Sequence, residues 1–162
     1  MEKRLHVARA ADSRILVLGY GNPGRQDDGL GPAAAEEIER RGFPGVTTSA
    51  NYQLVIEDAS DAAECDAVIF IDAAKSGPEP YSIFPVYPAS EVTCFVSHFV
   101  RPELILGISG RVYGHVPRAW SIGIRGYEFD FREGLTDRAR QNLGRALSHI
   151  CSAMLGLADV RT

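Results

Sequence analysis

Apolar runs and polar, glycine-bearing breaks alternate along the whole chain. Arg14–Gly19 (RILVLG) is a short apolar run stopped by glycine, as expected of a strand buried on both faces. The loop GYGNPGRQDDGLG follows. From Gly31 to Arg41 the pattern changes to helical spacing: Leu30, Ala34 and Ile38 recur every four residues, and Gly42 supplies the stop. Val46–Asn51 reads as a second strand and Leu54–Ala63 as a short, weakly amphipathic helix. Ala67–Ala73 (AVIFIDA) is the clearest strand, again apolar on both faces. Tyr81–Val86 is confined by Pro85 and Pro88 to a sheet edge. Arg101–Val112 reads as a helix with Pro102 near its first position and Leu104, Ile105, Ile108 and Val112 on one side. Ala119–Ile124 is a further strand. Thr136 caps a last helix whose stripe is Ala139, Leu143, Ala146, Leu147, Ile150 and Met154.

Strands alternating with helices predict a three-layer α/β/α sandwich with a mostly parallel, mixed sheet of about five strands. The alternation has no break, so residues 14–157 are read as one domain. Residues 1–13 are read as a flexible arm, basic but without the apolar stretch of a signal peptide, and residues 158–162 as a tail.

Composition narrows the function. The 162 residues carry a net charge of -4, with 45% apolar and 23% charged positions, as in a soluble globular protein. No basic surplus is available to neutralise a phosphate backbone, which argues against nucleic acid as partner. No run approaches the roughly 20 apolar residues that span a bilayer. Three cysteines, Cys65, Cys94 and Cys151, make no CxxC pair and leave an odd count. A reducing, cytoplasmic setting fits that count better than a disulfide framework.

Ligands of open α/β sheets bind beyond the carboxyl ends of the strands. Asp27 and Asp28 lie in the loop after the first strand, and Asp72 ends the strand Ala67–Ala73. If those strands run parallel, the carboxylates share one rim. A carboxylate after Val68-Ile69-Phe70-Ile71 costs free energy unless it is paired or holds a cation. The bland alternative is a hydrogen bond to a neighbouring loop. Of the four histidines, His98 is best placed to reach the strand ends, ahead of the helix at Pro102. Taken alone it reads as an ordinary surface or capping histidine. With two carboxylates it would complete an open oxygen–oxygen–nitrogen metal site.

Two other readings compete. Gly19-Tyr20-Gly21-Asn22-Pro23-Gly24 formally matches GxGxxG, but the helix does not open within it, Asp27 and Asp28 would face and repel a pyrophosphate, and the second strand ends in Asn51 rather than an acid. Cys94 and His98, four apart with Asp72 as orienting acid, form a conceivable thiol site, yet nothing nearby lowers the thiol pKa.

The segment ILVLGYGNPGRQDDGLG resembles the N-terminal signature of the [NiFe]-hydrogenase maturation endopeptidases: an apolar strand, GxGN, and an acidic pair before GxG. The resemblance continues at VIFIDAA and at VSHFV, and covers about Arg14 to Leu155 in order and spacing. It implies that Asp28, Asp72 and His98 are the metal-contacting and catalytic residues, and that Asn22 shapes the loop. Tyr52-Gln53-Leu54 follows the family's YQL-like pattern rather than its glycine-rich one. The implied fold is a three-layer sandwich with a five-stranded mixed sheet. The implied activity is removal of a C-terminal peptide from a hydrogenase large-subunit precursor, whose own nickel is the recognition element, with no tightly bound organic cofactor. A non-catalytic precursor- or metal-binding module of the same fold is the alternative from another class.

Overall fold

The computed structural model describes residue 5, residues 13–91 and residues 99–155. Five strands form one sheet: β1 (Ile15–Tyr20), β2 (Val46–Asn51), β3 (Ala67–Ala74), β4 (Tyr81–Pro85) and β5 (Arg118–Arg125). Their order is β2-β1-β3-β5-β4. The first four strands in that order are parallel, and β4 alone runs antiparallel, at the edge against β5. This is the mixed, mostly parallel α/β sheet expected from the alternation.

Four helices cover the faces: α1 (Leu30–Arg41), α2 (Asp58–Ala63), α3 (Pro102–Tyr113) and α4 (Asp137–Met154). The two-residue period of a strand explains the layering. On one face Ile15, Val17, Ile69, Ile71, Ile122 and Ile124 pack against α1 and α4. On the other, Leu16, Leu18, Val68 and Phe70 pack against α2 and α3. Both faces of β1 and β3 are therefore dry, which is why their sequences read as unbroken apolar runs. Leu5 is fully buried and belongs to the first of these clusters.

Helix ends follow local chemistry. Thr136 accepts a hydrogen bond from the Ala139 N–H and caps α4. Gly42 closes α1 at φ 67°, a left-handed position suited to glycine. Two sequence expectations need correction. The helix expected from Leu54 begins only at Asp58, whose carboxylate accepts the Val55 N–H at 2.8 Å and turns the preceding residues into a loop. In α3 the buried residues are Ile105 and Leu106, while Val112 is two-thirds exposed (67%), because the last turn runs past the sheet face.

Candidate active site

The carboxyl ends of β1 and β3 meet the first turn of α1 at unusually close range. A Cβ on Gly31 would lie 2.4 Å from the Tyr20 carbonyl oxygen and 2.5 Å from that of Ile71. Only glycine lets the helix press on both strand backbones.

Between β1 and α1 runs a short, irregular 3-10 segment, Pro23–Gly29. Asn22 caps it, its side-chain oxygen accepting the Gly24 N–H at 2.9 Å, while its own N–H donates to Asp28 Oδ2 at 2.8 Å. Asn22 thus shapes the loop and holds the Asp28 carboxylate. Gly21, at φ 141°, is required for the same reason: a Cβ there would sit 2.0 Å from the Asp28 carbonyl oxygen. Gln26 takes a positive φ of 45° and is nearly buried, its amide bonding Glu128 and the Asp130 N–H. A strained non-glycine residue at such a place marks a loop whose shape is imposed by its surroundings.

The two members of the acidic pair part company. Asp27 is 0% exposed and turns inward. It accepts hydrogen bonds from the N–H groups of Tyr127, Glu128 and Thr136 and from the Thr136 hydroxyl. Burial pushes its carboxyl upward, but these donors outweigh burial and hold it below its ordinary value of 3.8. Asp27 therefore clamps the loop to the β5–α4 connection, and of the acidic pair it is Asp28, the member the sequence resemblance singles out, that is left at the rim. Its partners lie 100 to 109 residues away, so no local signal announces them.

Asp72 has the opposite environment. By the strand's alternation it points to the same side as Val68 and Phe70. Its one hydrogen bond among the described residues is from the Ala73 N–H to Oδ1, 2.7 Å. Burial raises its carboxyl to about 6; the Ala73 N–H and Lys75 oppose the rise, and the charge of Asp28 adds to it. Asp28 and Asp72 are thus electrostatic neighbours at the carboxyl rim, as the parallel pairing of β1 with β3 requires. His98, and Cys94 of the thiol alternative, lie outside the described residues. Among the described residues no group of three His, Cys, Asp or Glu side chains is gathered closely enough to hold a metal ion.

Sequence reasoning passed over Tyr20, the last residue of β1, which packs half-buried against the α2–α3 side. Its place was available from the alternation Leu16, Leu18, Tyr20.

No family model matches the sequence, and no curated protein does. Solved structures do match. The [NiFe] hydrogenase maturation protease HycI from Thermococcus kodakarensis KOD1 superposes with a TM-score of 0.69 at 19% identity, covering 90% of this chain and 95% of that one. The hydrogenase maturating endopeptidase HybD from E. coli gives 0.67 at 24% identity, over 88% and 93%. The solution structure of an endopeptidase from Escherichia coli gives 0.63 at 26% identity, over 88% and 93%. The chain has the fold of the hydrogenase maturation proteases along nearly its whole length, as the sequence resemblance implied.

Proposed function

We propose that this protein is a cytoplasmic endopeptidase that removes a short C-terminal peptide from a nickel-loaded hydrogenase large-subunit precursor. Asp28, Asp72 and His98 contact the nickel that the precursor carries. Docking then completes the coordination shell, so the precursor's own metal acts as the specificity check. Two carboxylates and one neutral imidazole make a borderline donor set, able to meet nickel without stripping it from thiolates. No tightly bound organic cofactor and no nucleic acid take part.

The observation that carries this reading is the pair Asp28 and Asp72. Two acids share one sheet rim, and Asp72 keeps an oxygen without a hydrogen bond among the described residues. Burial holds the metal-free Asp72 carboxyl near pKa 6, a charge that the protein answers poorly and that a cation would stabilise, and the precursor's nickel would then polarise the scissile carbonyl or activate a water. The fold shared with HycI and HybD supports the same assignment.

The test is processing of nickel-loaded and nickel-free precursor by the wild type and by Asp28→Asn, Asp72→Asn and His98→Ala. The expected result is cleavage of the loaded precursor alone, and loss of about 10²–10⁴-fold in each variant. Equal processing of both precursors refutes the nickel check. Full activity in all three variants refutes the site, and tight binding without cleavage by the wild type would make the protein a docking module.

A further inference from the structure

Tyr20 ends β1 at the rim where Asp72 ends the apolar part of β3. The parallel register sets Gly19 beside Ile71, so the next step brings Tyr20 alongside Asp72. Both side chains leave the same face of the sheet, on strands about 4.8 Å apart. The phenol ring is packed against the second core cluster, which fixes the direction of its hydroxyl. That hydroxyl makes no hydrogen bond among the described residues, and neither does the second oxygen of Asp72. Two open polar groups on one face of the same rim leave room for a third party with a polar atom of its own.

We propose that Tyr20 is a further substrate-contacting residue, whose hydroxyl donates a hydrogen bond to the carbonyl oxygen of the peptide bond cleaved at this rim. The inference rests on the protease reading above. In the step concerned, water oxygen bonds to the carbonyl carbon and the C=O electron pair moves onto oxygen. The proton from water passes to a rim carboxylate and then to the leaving amine as the C–N bond breaks. The carbonyl oxygen gains negative charge in that step, and a neutral donor aimed at it adds to the polarisation by the precursor's nickel. Tyr20 suits that task. Burial, together with the charges of Asp72 and Glu103, pushes the phenol well above its ordinary value, so it stays protonated and donating.

The experiment is steady-state processing of nickel-loaded precursor by the full-length wild type, Tyr20→Phe and Tyr20→Leu. Phe keeps the packed ring and removes only the hydroxyl. The expected result is a kcat about 10²-fold lower in Tyr20→Phe, with KM nearly constant and the melting temperature unchanged, because the lost contact is made chiefly in the transition state. Should Tyr20→Phe keep its kcat while Tyr20→Leu loses it, the residue only packs and the inference falls, with the protease reading intact. A loss confined to KM overturns it in the same way. A wild type that binds loaded precursor and never cleaves it overturns both.

Discussion

Asp27 and Asp72 are two carboxylates of one small rim, and they illustrate opposite ways of keeping an acid out of water. Asp27 is out of contact with solvent, yet its acidity is strengthened, because four donors converge on it. At Asp72 burial weakens the acidity, because among the described residues the Ala73 N–H is its one hydrogen bond, and the charge of Asp28 adds to the rise against the pull of Lys75. The donors that answer each carboxylate, set against its burial, decide the sign. The first arrangement is what a structural clamp needs. The second leaves a charge unsatisfied, which is how a folded protein holds a group ready for a ligand or a proton.

The largest effect that would break this contrast is expected at Asp27. Asp27→Ala strands three N–H groups and a hydroxyl in the interior and should cost about 3–5 kcal/mol, read as a shift of the urea midpoint. A change below about 1 kcal/mol would mean that the loop repacks and that the clamp is not the support of the site. Asp72→Asn should do the reverse and stabilise the protein at pH 7–8 by about 1–2 kcal/mol, since it removes a charge that burial disfavours. Destabilisation by that variant would show that Asp72 has partners beyond the Ala73 N–H.

The pH dependence sharpens the comparison further. The folded value for Asp72, about 6, lies above its ordinary 3.8, so the penalty is absent below about pH 4 and complete above about pH 6–7. The stability gain of Asp72→Asn should therefore vanish as pH falls from 7 to 4 in urea titrations. Asp27 is shifted the other way: its contribution is full above its ordinary value and is lost only as pH falls through the lower folded one. The smallest effect is expected for Thr136→Val, which removes one of the four bonds to Asp27 and the cap of α4, about 1 kcal/mol by thermal melting. A neutral outcome would assign the clamp to the three backbone donors alone.

Much of this architecture was legible in the chain. Ile15–Tyr20 and Ala67–Ala74 are buried on both faces, so they announced themselves as apolar runs. Their ends placed Asp72 near a strand's carboxyl end and Asp28 in the loop after β1; the structure agrees, with β3 continuing two residues past Asp72. Less legible were elements fixed by a few polar contacts. The start of α2 is set by the Asp58 carboxylate on the Val55 N–H, and no periodicity reports such a bond. The edge position of β4 was readable from its prolines, whereas its antiparallel direction was not.

By itself the sequence determined the layers, because alternation of side chains along a strand and four-residue spacing along a helix are local rules that survive any topology. It also determined which acids could reach the rim. Only the tertiary structure decided which member of the pair Asp27-Asp28 turns inward, since the donors that capture Asp27 come from residues Tyr127, Glu128 and Thr136. Only it set Tyr20 beside Asp72, through the pairing of β1 with a strand that follows an intervening strand and two helices. Hydrogen bonds and neighbouring charges act over a few ångströms of space, whatever the distance along the chain, and that is why a site's chemistry waits for the fold.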